Sequence, residues 1–164
     1  MIQTSPLELG LACGDVESQI ELYTSAFDFA VVQRATVPGR MSAQLGLADA
    51  EIDFVWLQGP GGERIKLFPT GAGVRGDDPP KHFSDRRGFS YLTFYCADLD
   101  ATLGKAEAAG CTRSSDPALR NPDFDTRISF LRDREGNAIE LVERKDLENY
   151  RSDLAGWPRK REQE

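Results

Sequence analysis

The chain has 164 residues, 40% of them apolar and 29% charged, enough for one well-formed core or two small modules sharing one. Its formal charge of −7, from 20 Lys and Arg against 27 Asp and Glu, disfavours nucleic acid and anionic membrane surfaces as partners and modestly favours cationic small molecules. No apolar run approaches the ~20 residues that cross a bilayer, and the start "MIQTSPLELGL" has no basic-then-apolar leader, so no membrane association and a cytoplasmic address are expected.

Taken in chain order, "LELGLAC" (7–13) is a short apolar run that reads as a strand, and Gly14-Asp15 after it signals a helix start. Val16, Ile20, Tyr23 and Phe27 recur at helical spacing and predict the buried stripe of that helix. "FAVVQRATV" (29–37) predicts a strand, and "EIDFVWLQ" with "ERIKLF" predicts a hairpin closed by "GPGG". That Gly-rich turn joins two strands and precedes no helix, so it is not a phosphate loop. The stretch 69–88, rich in Gly, Pro and charge, is too polar for core and reads as a linker or lid. Its "GDDPP" lacks the spacing of a calcium loop.

In the second half, Asp98 caps a helix whose stripe is Leu99, Leu103 and Ala106, and Gly110 ends it. "TRISFLR" and "AIELVER" predict a hairpin around "DREGN". Leu147, Tyr150 and Leu154 suggest a short helix ending near Trp157-Pro158, with a tail that frays. Cys13, Cys96 and Cys111 form no CxxC pair and the chain has a single histidine, His82. A disulfide framework or a Cys/His zinc site is therefore not expected, and the thiols read as buried and reduced.

The two halves repeat each other. "LELGLACGDVESQI" (7–20) aligns with "SYLTFYCADLDATL" (90–103), matching Cys13 to Cys96 and Asp15 to Asp98 at a common offset, 96 − 13 = 98 − 15 = 83. "WLQGPGGERIKLF" (56–68) aligns with "FLRDREGNAIELV" (130–142), where 136 − 62 = 139 − 65 = 74. The expected fold class is α+β, with two tandem β-α-β-β-β modules over 1–70 and 89–146. A linker or lid covers 71–88, and a C-terminal helix and tail cover 147–164.

Two such modules, with D-[VL]-x-x-x-[IL] after the first strand and F-L-x-D-x-x-G-N-x-I-E-L-x-E at the end, resemble the vicinal oxygen chelate superfamily. That group includes glyoxalase I, bleomycin-resistance proteins, methylmalonyl-CoA epimerases and extradiol dioxygenases. The resemblance spans most of residues 7 to 145. It implies a cupped, mostly antiparallel sheet around a cavity, and an assembly that is commonly a homodimer. In metal-using members four positions converge on the cavity, one on the first and one on the last strand of each module. By repeat alignment these positions hold Glu8, Lys66, Tyr91 and Glu140. Glu140 matches the family's metal-binding glutamate, and strand alternation turns it away from its neighbours Ile139 and Leu141.

The usual histidines are missing and a lysine ammonium would repel a cation, so neither a bound metal nor another cofactor is expected. Two glutamates in an apolar cup repel each other, and Lys66 offsets that repulsion to leave one carboxylate ready as a base. Tyr91 would donate a proton or hydrogen bond to a substrate oxygen. Such a set suits isomerisation, elimination or cyclisation of a carbonyl compound. The bland alternative for Lys66 is a buried salt bridge with Glu8 or Glu140. The alternative function is sequestration of an aromatic or cationic small molecule, for which Phe54, Trp56, Tyr95 and Phe130 supply ring faces, with Phe124 near them. His82 reads as a solvated loop residue that acts as an acid or base only if the linker folds over the site.

Overall fold

The computed structural model describes residues 7–74, 76, 79–85, 87–115, 120, 121 and 125–152. Phe124, Leu154, Trp157-Pro158 and the tail fall outside these residues. The fold is mixed α+β, built on two compact units that divide between Arg75 and Gly76.

In the first unit, strand β1 (Glu8–Cys13) leads into helix α1 (Val16–Ala26), then β2 (Ala30–Val37), a short helix α2 (Gly39–Gln44), β3 (Ile52–Gln58) and β4 (Arg64–Pro69). The sheet order is β1-β4-β3-β2, with β1 parallel to β4 and the other pairs antiparallel. Asp15 starts α1 by accepting a hydrogen bond from the Ser18 amide at 3.0 Å. The buried face of α1 meets the sequence expectation in part. Gln19, Leu22, Tyr23 and Ala26 are buried, whereas Val16 and Ile20 are only half-buried. Tyr23 and Phe27 are buried as the spacing predicts, and the Tyr23 ring meets Phe27 and Phe29 at 5.9 and 5.6 Å.

The second unit runs β5 (Leu92–Cys96), α3 (Leu99–Ala108), two-residue strands β6 (Thr112–Arg113) and β7 (Arg120–Asn121), β8 (Thr126–Arg132), β9 (Ala138–Arg144) and a one-turn α4 (Leu147–Tyr150). Its order is β5-β9-β8-β6, with β7 also on β8 and only the β5–β9 pair parallel. The stripe Leu99, Leu103 and Ala106 is fully buried, as its spacing predicts, against Leu131, Ile139 and Leu141. Each such leucine contributes on the order of 1.5–3 kcal/mol. The start of α3 is held twice: Asp98 accepts from the Ala101 amide at 2.9 Å, and Glu143 accepts from the Leu99 amide at 2.9 Å. Asp98→Ala is expected to cost about 1 kcal/mol in urea unfolding, and Asp98→Ser much less.

The repeated hairpins close on equivalent turns. Gly59 and Glu63 exchange a backbone bond of 2.9 Å where Asp133 and Asn137 exchange one of 3.0 Å, and 59 + 74 = 133, 63 + 74 = 137. Gly62 and Gly136 take φ of 91° and 85°, a left-handed conformation that glycine adopts without a Cβ clash. The acid changes sides between the turns. In the second, the buried Asp133 carboxylate accepts from the Glu135 and Asn137 amides and the Asn137 side chain at 2.8–2.9 Å. In the first, the Glu63 carboxylate occupies the space that a Cβ on Gly59 would fill.

The stretch read as a linker or lid continues into the second unit. Pro80 and the 3-10 turn Phe83–Asp85 lie against β8, where the Arg132 guanidinium donates to the carbonyls of Pro80 and Gly136, both at 3.0 Å.

Candidate functional site

In each sheet, one face packs on a helix and alternation sends the intervening residues to the other face. On the first unit's helix-free face stand Glu8 on β1, Lys66 and Arg64 on β4, and Trp56 and Gln58 on β3. The register pairs Glu8 with Arg64 and Gly10 with Lys66. Glu8 accordingly meets two cations, Arg64 Nη1 and Lys66 Nζ, each at 3.5 Å. Arg64 also donates to Gln58 at 3.0 Å, and the Lys66 ammonium sits 5.5 Å from the Trp56 ring centroid. Lys66 thus joins Glu8 in an ion pair, but one about a third exposed rather than buried. Phe54 is itself buried between the rings of Trp56 and Phe68.

On the second unit, Glu140 lies opposite Thr93 on one side and Phe130 on the other. The Thr93 hydroxyl donates to Glu140 Oε2 at 2.6 Å. Among the described residues no cation pairs with Glu140 and its second oxygen carries no hydrogen bond. Ile139 and Leu141, its neighbours, are fully buried on the helix side. Tyr91, Phe130 and Phe83 form a ring cluster with centroids 4.7–5.9 Å apart. Tyr95 stands two residues beyond Thr93. Burial, and then its hydrogen bond to Tyr150, push the Tyr95 phenol above its ordinary range, so it stays protonated at neutral pH.

The structure thus groups Glu8, Lys66 and Trp56 on one sheet, and Tyr91, Tyr95, Phe130 and Glu140 on the other. Thr93 and Arg64 were missed from sequence. The repeat makes Gly10 equivalent to Thr93 (10 + 83 = 93) and Lys66 to Glu140 (66 + 74 = 140), and the parallel register seats Gly10 beside Lys66 and Thr93 beside Glu140. The last-strand site positions therefore face Gly10 and Thr93, one pleat beyond Glu8 and Tyr91.

The thiols are poor nucleophile candidates. Burial pushes Cys96 up to about 11 and Cys111 up to about 12, so both remain neutral thiols at physiological pH. Iodoacetamide at pH 8 is expected to label Cys96 and Cys111 rapidly only after unfolding, as read by mass spectrometry.

The donor set fits a divalent metal poorly. Among the described residues no three His, Cys, Asp or Glu side chains come together. Glu8 is already engaged by two cations and Lys66 stands where a ligand would be needed.

The profile of the Glyoxalase/Bleomycin resistance protein/Dioxygenase superfamily matches residues 6–141. The chain belongs to this superfamily. A glyoxalase family protein from Bacillus cereus superimposes with a TM-score of 0.69 at 16% identity, over 88% of this chain and 95% of that one. A glyoxylase/bleomycin resistance protein/dioxygenase domain from Frankia sp. gives 0.61 at 21% identity, over 88% and 99%. Glyoxalase I from Zea mays gives 0.64 at 19%, over 87% of this chain and 45% of that protein. These likenesses concern the fold. No curated protein matches the chain. No helix among the described residues is long and apolar enough to cross a membrane.

Proposed function

We propose that this superfamily member is a metal-independent acid–base enzyme acting on a small carbonyl compound, with Glu140 as the proton-transferring group. The observation that carries the reading is the state of that carboxylate. One oxygen is held by Thr93, the other is open among the described residues, and the Phe130 ring stands across the strand pair from it. A carboxylate fixed in this way is oriented as a base without being neutralised by a partner charge. Glu8 differs in this respect: with Arg64 and Lys66 against it, it serves in this reading as an ion-pair anchor.

The chemistry asked of the site is simple. A Glu140 oxygen takes the proton from the carbon next to the substrate carbonyl, and the electron pair moves onto the carbonyl oxygen. The Tyr91 phenol donates a hydrogen bond to that oxygen as its charge grows. Return of the proton to the same or a neighbouring carbon completes an isomerisation, and departure of a leaving group instead completes an elimination. Incubating the protein with a panel of ketones and 2-oxo acids in D2O tests this directly by NMR. Protein-dependent exchange of one α-proton supports the reading, and a panel that exchanges no faster than in buffer counts against it. Thr93→Val is expected to slow that exchange about tenfold, the rate expression of ~1.4 kcal/mol, with little change in apparent substrate affinity.

A second reading, sequestration of a cationic aromatic compound, is favoured by the same carboxylate standing beside the Phe83–Tyr91–Phe130 rings. It predicts tight binding without exchange.

A further inference from the structure

An open cleft of about 630 Å³ lies in the second unit, lined by Pro80, Lys81, His82, Phe83, Ser84, Ser114 and Arg132. We infer that this cleft is a binding site for a small carboxylate or phosphate anion, centred on Arg132 and Lys81 and adjoining the Glu140 side of the same sheet face.

The lining is unusual for a chain of net charge −7. It holds two basic side chains, Lys81 and Arg132, together with an imidazole and two hydroxyls, and among the described residues no carboxylate lines it. Of the described acids that adjoin the lining in sequence, Asp85 turns back to accept from the His82 amide at 3.0 Å, and Asp133 accepts from the Glu135 and Asn137 amides in the hairpin turn. Arg132 is fixed without being neutralised. Its guanidinium spends two N–H groups on the Pro80 and Gly136 carbonyls and lies 5.2 Å from the Phe83 ring centroid. Three of its five donors remain, on a planar fork suited to an oxyanion. A stacked, carbonyl-braced arginine loses little entropy when it binds, and that is the usual preparation for a carboxylate or phosphate.

The place of the cleft gives the anion a purpose. Arg132 is two residues from Phe130 along β8, about 7 Å on the same face, and Phe83 both lines the cleft and packs on Phe130 and Tyr91. A ligand whose acidic end sits at Arg132 and Lys81 would lay its apolar part over Phe83, toward the aromatic ring cluster. The site does not depend on Glu140 acting as a base, because anion binding is read without turnover.

Calorimetric titration of the full chain with sodium phosphate and, separately, sodium benzoate tests the inference. Saturable binding of either is expected, and whichever binds assigns the headgroup. Lys81→Gln should weaken it at least about tenfold, the loss of one charge-assisted contact, and Lys105→Gln on α3 should leave it unchanged. Arg132→Gln should abolish it. Because that change also frees two carbonyls, Lys81→Gln and Ser114→Ala serve as variants with no described structural contact to lose. The inference is overturned if neither anion binds up to about 10 mM, ten times a Kd of 1 mM, or if Lys81→Gln and Lys105→Gln weaken binding equally.

Discussion

Glu140→Gln is expected to cut proton-exchange turnover by about 10²- to 10⁴-fold, the usual worth of a positioned general base, while leaving the fold and the substrate affinity nearly intact. Glutamine fills the same volume and its carbonyl oxygen still accepts from the Thr93 hydroxyl, now 2.6 Å from Glu140 Oε2. What it lacks is a basic oxygen. Glu140 carries no ion pair among the described residues, so its replacement strands no buried partner charge. The measurement is a D2O exchange rate paired with a thermal melt. A variant that melts like the wild type, binds as well and exchanges slowly supports the base. One that exchanges at the wild-type rate removes Glu140 from the chemistry. Loss of affinity with no exchange in either protein points to the sequestration reading.

The largest effect on stability is expected at Asp133. Its carboxylate is 5% exposed and accepts three hydrogen bonds inside the hairpin that carries Glu140. Asp133→Ala removes the acceptor of three hydrogen bonds, from the Glu135 and Asn137 amides and the Asn137 side chain. Each such buried group costs about 1–3 kcal/mol when not re-solvated. Since the turn lies near the surface and water can reach part of it, a total of about 2–4 kcal/mol is expected. For a unit of this size that lowers the melting temperature by roughly 10–20 °C. Asp133→Asn keeps an acceptor for the two amides and should recover about half of the loss. If Asp133→Ala melts within about 2 °C of the wild type, less than the shift expected from 1 kcal/mol, the turn is not held by this carboxylate.

The strands, both hairpins and the α3 stripe were legible because local signals agree with the tertiary outcome. Asp15 and Asp98 cap, Gly62 and Gly136 turn, and Leu99, Leu103 and Ala106 face one sheet. The face of α1 was legible in part: Tyr23 and Phe27 are buried as the stripe predicts, while Gln19, Leu22 and Ala26 take the rest of the buried face and Val16 and Ile20 stay half-buried. The second module's edge strands β6 and β7 also escaped, since the 112–125 stretch has little period of either kind.

At the site, alternation was enough to place Glu140, Tyr91 and Tyr95 on one face and Glu8 with Lys66 on another. Their partners were not visible in the same way, because the β1–β4 and β5–β9 pairings set the register. A parallel pair with a long connection leaves no turn from which to count. The Pro80–Phe83 segment was hidden for a different reason. Its polar composition reads as a linker, and it is held by a guanidinium on backbone carbonyls and by one phenylalanine ring, contacts with no sequence period.

The most direct test of metal-free acid–base chemistry at Glu140 is the α-proton exchange rate of chelator-stripped protein, with metal content verified by elemental analysis. The predicted result is an unchanged rate in the stripped wild type and a collapsed one in Glu140→Gln. Loss of exchange on stripping, with recovery on adding one equivalent of Mn, Fe, Co, Ni or Zn, would contradict the account. Glu140 would then have to be reread as a metal ligand.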